Sequence, residues 1–331
     1  MISKSNLVFV CCVESGYLET HTVRMLESLR RWGGEFANVP IFAITPRFGP
    51  PISEKTRHFF KRYQVEHIYF VNQNKYSWNK FLNKLLALIK VEEVIDSEFI
   101  GWLDSDLIFV DEPDEFNLNP NDCFIACPSD TQNLGATGTE KSIENYWCKI
   151  CQYFDMDIED LFWIHSEPEG EKMRFYLNSG VFIYRRSIAF SQHYLETFIR
   201  LCESRIASQK NGLFFNDQVA LALTVTKMGI PWRKLPYSHN FGIGSIAPHD
   251  WYIPEKMKTA KIIHYHDSMW SWFWDSFIES MSSSHPAVTE WLISLGAMRN
   301  EAPMHYRATK KLLDIYRKRQ ESAYLKSCKV F

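Results

Sequence analysis

The chain opens on a continuous apolar run over residues 7–13. Residues 17–32 follow, in which Val23, Leu26 and Leu29 recur at helical spacing. The first pattern predicts a strand buried on both faces; the second predicts an amphipathic helix, stopped by Gly33-Gly34. The alternation continues. Residues 40–45 predict a short strand ended by Pro46, residues 53–63 a polar helix with Ser53 as its N-cap, and residues 67–71 a third strand. Ser77 is expected to cap a helix running to about Val91, with Leu82, Leu85, Leu86 and Ile89 on its apolar face. Residues 99–110 form the strongest strand pattern of the chain. Strands alternating with helices imply crossover connections, hence an α/β fold with a mostly parallel sheet flanked by helices. Such sheets bind ligands beyond the carboxyl ends of their strands.

The second half is less regular. A loop is expected over 130–139, a helix over 142–154, an acidic turn over 167–171 and a strand over 175–184. Helices over 188–207 and 215–228 lead through a Trp/Pro/Tyr-rich connection to a late strand at 261–265. Beyond residue 268 the pattern is helical and aromatic, and a basic stretch over 310–319 reads as a solvated helix face. This divides the chain into a catalytic-type domain, 1–268, and a helical C-terminal extension packed on it, 269–331.

Composition narrows the classes. With 331 residues, 37 Lys+Arg against 39 Asp+Glu and 46% hydrophobic residues, the chain is an ordinary globular protein, and no nucleic acid partner is expected. No apolar stretch reaches the roughly 18 residues of a membrane helix, so no transmembrane segment and a cytoplasmic place are expected. Among the eight Cys, Cys123/Cys127 and Cys148/Cys151 invite a four-thiolate zinc site, but their spacing fits no finger or ribbon, and buried reduced thiols are the better expectation. Neither a dinucleotide fingerprint nor a phosphate-binding P-loop is present.

Asp104-Ser105-Asp106 interrupts the apolar stretch 99–110. Ionised carboxylates there are costly unless paired or metal-bound. At positions i and i+2 of a strand, both address one face and can share a divalent cation. The alternative is that the strand ends at Leu103 and both Asp are solvated turn residues.

Four motifs, in order, carry a resemblance. They are Cys12-Val-Glu-Ser-Gly-Tyr17 with Met25-Leu-Glu-Ser-Leu29, then Asn83-Lys84 and Ala87-Leu88 ahead of Trp102-Leu-Asp-Ser-Asp106. Leu177-Asn-Ser-Gly-Val-Phe-Ile183 with Asn216-Asp-Gln218 comes next, and Lys261-Ile-Ile-His-Tyr-His266 last. Over roughly residues 7–268 the chain resembles GT-A nucleotide-diphospho-sugar glycosyltransferases, especially glycosyltransferase family 8 and glycogenin-like enzymes. The extension lies outside the likeness.

The resemblance implies metal-dependent transfer of a sugar from a nucleotide-diphosphate donor, UDP-linked by the family match, to a carbohydrate, lipid or protein acceptor, with retained stereochemistry. Mn²⁺ or Mg²⁺ would be held by Asp104, Asp106 and His264, with His266 in reserve. Imidazole beside carboxylates suits Mn²⁺. Val13, Glu14, Ser15 and Tyr17 would meet the nucleoside, Tyr17 through its flat face. Lys84, Asp104 and Ser105 would serve diphosphate and ribose, while Lys80 lies one turn earlier. Asp130, Asn178, Ser179 and Gly180 would line the sugar, with Asp217 and Gln218 as the catalytic pair. Each has a plainer alternative: helix packing for Tyr17, a solvated surface for Lys84, an edge turn for 178–180, an N-cap for Asp217. The related enzymes continue His-x-x-Gly, whereas Asp267 stands here in place of Gly. Residues 269–274, Met-Trp-Ser-Trp-Phe-Trp, fit either an acceptor platform or C-terminal packing, with packing favoured. A nucleotidyltransferase, or a sugar-nucleotide-binding protein without turnover, is the alternative function.

Overall fold

The computed structural model describes residues 6–130, 134–244 and 254–331. β1 (Leu7–Cys12) and α1 (Tyr17–Trp32) stand where the apolar run and the helical spacing put them. β2 (Ile41–Thr45), α2 (Glu54–Arg62) and β3 (Val65–Tyr69) follow, and Ser53 caps α2 by accepting the Thr56 N–H at 3.1 Å. β3 begins two residues before the expected strand. α3 (Leu82–Glu92) begins well after Ser77, which is not its cap. The reason is local: Asn74 and Asn79 side chains accept the N–H groups of Tyr76 and Phe81 at 2.9 and 3.0 Å, turns that hold this segment out of the helix.

Residues 99–110 are not one strand. β4 (Phe99–Leu103) ends just before Asp104, and β5 (Leu107–Phe109) resumes after the Asp104-Ser105-Asp106 turn in a different sheet. β6 (Phe124–Pro128) and α4 (Lys141–Tyr153) precede a hairpin of β7 (Trp163–His165) and β8 (Lys172–Arg174) that spans the acidic turn. β9 (Leu177–Arg185), α5 (Phe190–Ser204), β10 (Ile206–Ala207), α6 (Asn216–Lys227), β11 (Trp232–Lys234) and β12 (Phe241–Gly242) come next. The chain closes with α7 (Pro254–Met257), β13 (Ile262–His264), α8 (Trp274–Ser284), α9 (Pro286–Leu295), α10 (Met304–Leu325) and β14 (Lys329–Val330). The helix expected over 188–207 yields its last two residues to β10, which pairs with β14. Residues 131–133 of the expected loop, and 245–253 of the aromatic connection, lie outside the described residues.

The main sheet has seven strands in the order β11-β6-β9-β4-β1-β2-β3. All neighbours are parallel except β9, which runs antiparallel to both β4 and β6. Both faces are covered, as the continuous apolar runs require. In the first strand region, Leu7, Phe9, Cys11 and Val13 enter one core, whereas Val8, Val10 and Cys12 enter the other. A small sheet, β12-β13-β5, forms beside it. Its Ile108, Ile263 and Tyr265 share a third core with Met269, Phe277, Met281 and Trp291, so α8 and α9 bury their apolar faces against that sheet. Among the described residues no helix is long and apolar enough to cross a membrane.

Gly101 marks how tightly β4 lies on β1: a Cβ there would sit 2.7 Å from the Phe9 ring. Gly101→Ala is expected to lose about 1–3 kcal/mol by overpacking, while Gly49→Ala, with nothing within 4 Å, stays within about 0.5 kcal/mol. Denaturant unfolding of both variants checks the contrast.

Candidate active site

The site forms where β4 leaves the main sheet. Leu103 pairs with Val181 of β9, and the Asp104 N–H donates to the Gly180 carbonyl at 2.8 Å, which sets Asn178-Ser179-Gly180 beside the carboxylates. The turn then feeds β5, whose Leu107 lies opposite His264 of β13. The Tyr265 N–H donates to the Asp106 carbonyl at 3.0 Å. Pairing within the small sheet thus brings together residues 157 positions apart.

Asp106 faces two imidazoles. His264 Nε2 lies 3.2 Å from one of its carboxylate oxygens and His266 Nδ1 3.9 Å from the other. One ligand atom each from Asp106, His264 and His266 falls within 4.8 Å of the others, the one such grouping of three or more metal-ligating side chains among the described residues. His264 Nδ1–H donates to Asn240 Oδ1 at 3.0 Å, which turns Nε2 toward Asp106. Burial lowers the His264 pKa, but the Asp106 carboxylate reverses this and the value is raised. Burial raises Asp106, while His264, His266 and His21 pull it well below the usual carboxylate range. The His264 ring also explains Gly180: a Cβ there would lie 2.6 Å from His264 Cε1.

Asp104 is directed elsewhere. Its Oδ1 accepts from Trp102 Nε1 at 2.7 Å and lies 3.2 Å from Lys84 Nζ. Lys84 is no solvated lysine; it is 6% exposed and its ammonium also donates to Asp217 Oδ2 and Ser179 Oγ, both at 2.9 Å, and to the Ser179 carbonyl at 2.8 Å. Burial lowers its pKa, and Asp104 with Asp217 more than restores it, so the ammonium stays charged. Ser179 Oγ donates to Asp217 Oδ2 at 2.6 Å, and Tyr194 OH holds the Asp217 carbonyl at 2.9 Å. Asp217 Oδ1 and both polar atoms of Asn216 are buried without a hydrogen-bond partner at the start of α6. Buried polar atoms in that state point to a missing ligand or water. Gln218 Oε1 accepts from Ser129 Oγ at 3.3 Å, and Asp130 follows β6 at the same end of the sheet.

At the end of β1 the polar side chains are engaged within the protein. Ser105 Oγ donates to the Cys12 carbonyl at 3.0 Å and lies 3.2 Å from Thr22 Oγ1, so it ties the turn to β1 and α1. The Glu14 carboxylate is buried in a network: Arg47 takes both oxygens at 2.5 and 2.8 Å, Lys310 donates at 2.9 Å and Asn83 at 3.0 Å. Burial alone would raise Glu14; Arg47 and Lys310 hold it at about 2. Val13 is fixed in the strand region, its carbonyl accepting from Thr45 Oγ1 at 2.6 Å. Tyr17 is half-exposed and meets the Trp270 ring edge-on at 4.4 Å; Trp272 stacks on Trp270 at 5.5 Å. His21, buried and paired with Tyr265 OH at 2.6 Å, backs this group.

Arg47, Asn240, Trp102 and Lys310 were given no role in the site from the sequence. A buried Glu14 demands a cation, but nothing local says it comes from residues 47 and 310. The basic stretch 310–319 is correspondingly not just a solvated face, since Lys310 binds Glu14 and Arg317 donates to the Phe48 carbonyl at 2.6 Å. All eight cysteines are free thiols, and burial alone pushes Cys11 up to about 12.

Glu14 gives a pH-dependent expectation. Its pairing stabilises the fold above the ordinary value of 4.5 and fades as pH falls toward 2. Glu14→Gln is expected to lose about 3 kcal/mol at pH 7 and much less near that lower limit, read by denaturant unfolding at both pH values. Gly180→Ala is expected to lose about 1–3 kcal/mol, and that loss shrinks in a His264→Ala background, where the opposing ring is gone. A double-mutant cycle measures the coupling.

The profile of the Rhodobacterales glycosyltransferase domain matches residues 9–229, about two thirds of the chain. No curated protein matches the sequence. Among solved structures, the galactosyltransferase LgtC in complex with donor and acceptor sugar analogs shares the fold at a TM-score of 0.50 and 14% identity, covering 91% of this chain and 99% of that one. An active-site mutant of LgtC gives 0.50 and 14%, covering 83% and 95%. The apo WbbM bifunctional glycosyltransferase, of which this chain spans 51%, aligns over 86% of this chain at 0.48 and 11% identity. GlyE of Streptococcus pneumoniae TIGR4, of which it spans 66%, aligns over 90% at 0.47 and 15%. With most of its sheet and the Asp104, Asp106 and Asp217 positions inside the matched profile, the chain belongs to the Rhodobacterales glycosyltransferase domain family and is a glycosyltransferase of GT-A fold.

Proposed function

We propose that this glycosyltransferase uses a UDP-linked sugar and a divalent cation, Mn²⁺ or Mg²⁺, and works as family 8 enzymes do. The observation that carries the metal is the convergence of Asp106, His264 and His266, with Asn240 setting the His264 tautomer. A carboxylate with imidazoles fits Mn²⁺ well. Asp104 Oδ1 is committed to Trp102 and Lys84, so in this reading Asp104 meets the ion or the ribose through its other oxygen. When bound, the ion neutralises the charge that grows on the departing diphosphate.

The chain's own residues do the rest. Lys84 fixes Asp217 against Ser179, leaving Asp217 Oδ1 and Asn216 as unpaired polar atoms for sugar hydroxyls. Asn178 Oδ1 already accepts the Gly180 N–H at 2.8 Å, so its contribution to the sugar is its amide nitrogen. In transfer, the bond from the anomeric carbon to the phosphate oxygen breaks and one to the acceptor oxygen forms. The acceptor proton passes to the departing phosphate in the retaining course we favour, with the Gln218 amide beside the developing positive charge.

Calorimetric titration of UDP tests this. Mn²⁺ is expected to tighten UDP at least tenfold in the wild type and to have no such effect in Asp106→Ala. Binding indifferent to Mn²⁺, or unaltered in that variant, would contradict the proposal. Turnover over a panel of UDP-sugars is expected to fall at least a hundredfold in Asp217→Asn.

A further inference from the structure

A cavity of about 470 Å³ lies between the loop after β1 and α10. Ser15 and Tyr17 line one side; Tyr306, Arg307, Lys310 and Lys311 line the other. The two walls are joined by specific contacts. Lys310 donates to Glu14 at 2.9 Å, and Thr20 Oγ1 donates to the carbonyl of Arg299, ahead of α10, at 3.1 Å. No residue of α10 is fully buried; its C-terminal end packs Tyr324 and Leu325 on the main core, where Tyr324 meets the Tyr76 and Trp78 rings at 5.9 and 5.1 Å, and at its N-terminal end Lys310 ties it to the loop.

The chemistry of the cavity is selective. Arg307, Lys310, Lys311 and Lys318 line it against one acid, Asp314, while Tyr17, Tyr306 and Ile315 give it flat apolar surface. Ser15, 3% exposed, lines it with a buried hydroxyl that has no hydrogen-bond partner. Such a cavity fits a ligand with an aromatic plane, polar edges and negative charge, as a nucleoside diphosphate has. It also adjoins the catalytic group through a short chain of contacts: Glu14 accepts from Asn83, and the next residue, Lys84, holds Asp217.

We propose that α10 is the second wall of the nucleotide site, enclosing the nucleoside end of the donor between Tyr17 and Tyr306 while the cationic helix face, Arg307 and Lys311, attracts the phosphates. This rests on the donor reading above and adds residues that lie outside the matched family profile. The attraction is electrostatic in part, so UDP affinity falls as ionic strength rises.

Hydrogen–deuterium exchange on the full chain, with and without UDP and Mn²⁺, reads the site directly. Amides of residues 304–318 are expected to gain at least threefold protection with UDP. Tyr306→Ala and Lys311→Glu are each expected to weaken UDP at least fivefold by calorimetry with unchanged thermal unfolding, and Arg319→Glu, on the same helix away from the cavity, to bind as wild type. Tight UDP binding without protection of α10, and with all three variants like wild type, overturns this inference and leaves the donor reading standing. A wild type that binds no UDP overturns both. Equal weakening by Arg319→Glu reduces the effect to general charge and also overturns it.

Discussion

One ammonium group organises the centre of the molecule. Lys84 Nζ lies within 3.2 Å of Asp104, Asp217 and Ser179, contributed by the end of β4, by α6 and by β9. A buried cation is tolerable only with such partners, and the two carboxylates would repel each other without it. The ammonium therefore fixes how far α3, α6 and two sheet strands stand from one another. It also explains why a lysine, with its compact charge, stands at a position that a sequence alone would send to solvent.

The turn at Asp104-Ser105-Asp106 does the complementary work. Asp104 faces back to the main sheet and Lys84, whereas Asp106 faces the small sheet and its imidazoles. The strand does end at Leu103, yet the carboxylates are engaged rather than solvated. The apolar continuity of 99–110 concealed the break because Leu107, Ile108 and Phe109 are as buried in β5 as their predecessors are in β4.

What was legible in the sequence was local. The parity of residues 7–13 gave a strand buried on both faces, the spacing of Val23, Leu26 and Leu29 gave α1, and Ser53 gave a cap. The Ser77 cap failed because two Asn side chains satisfied backbone N–H groups first. Asp106 stood out as a carboxylate in an apolar run, but its meeting with His264 and His266 was legible only through a family resemblance, since it depends on β5 pairing with β13 across the chain. The role of Lys310 was illegible for the same reason: the partner of Glu14 comes from a helix almost 300 positions away, and a basic stretch on an exposed helix carries no mark of the carboxylate it covers.

Anomalous diffraction at the manganese edge, from crystals of the full chain grown with UDP and Mn²⁺, tests the central claim most directly. The account predicts a single peak in coordination contact with Asp106 and the His264 and His266 imidazoles, with Lys84 still bridging Asp104 and Asp217. Bound UDP with no anomalous peak there, or a peak held by other residues, would contradict it.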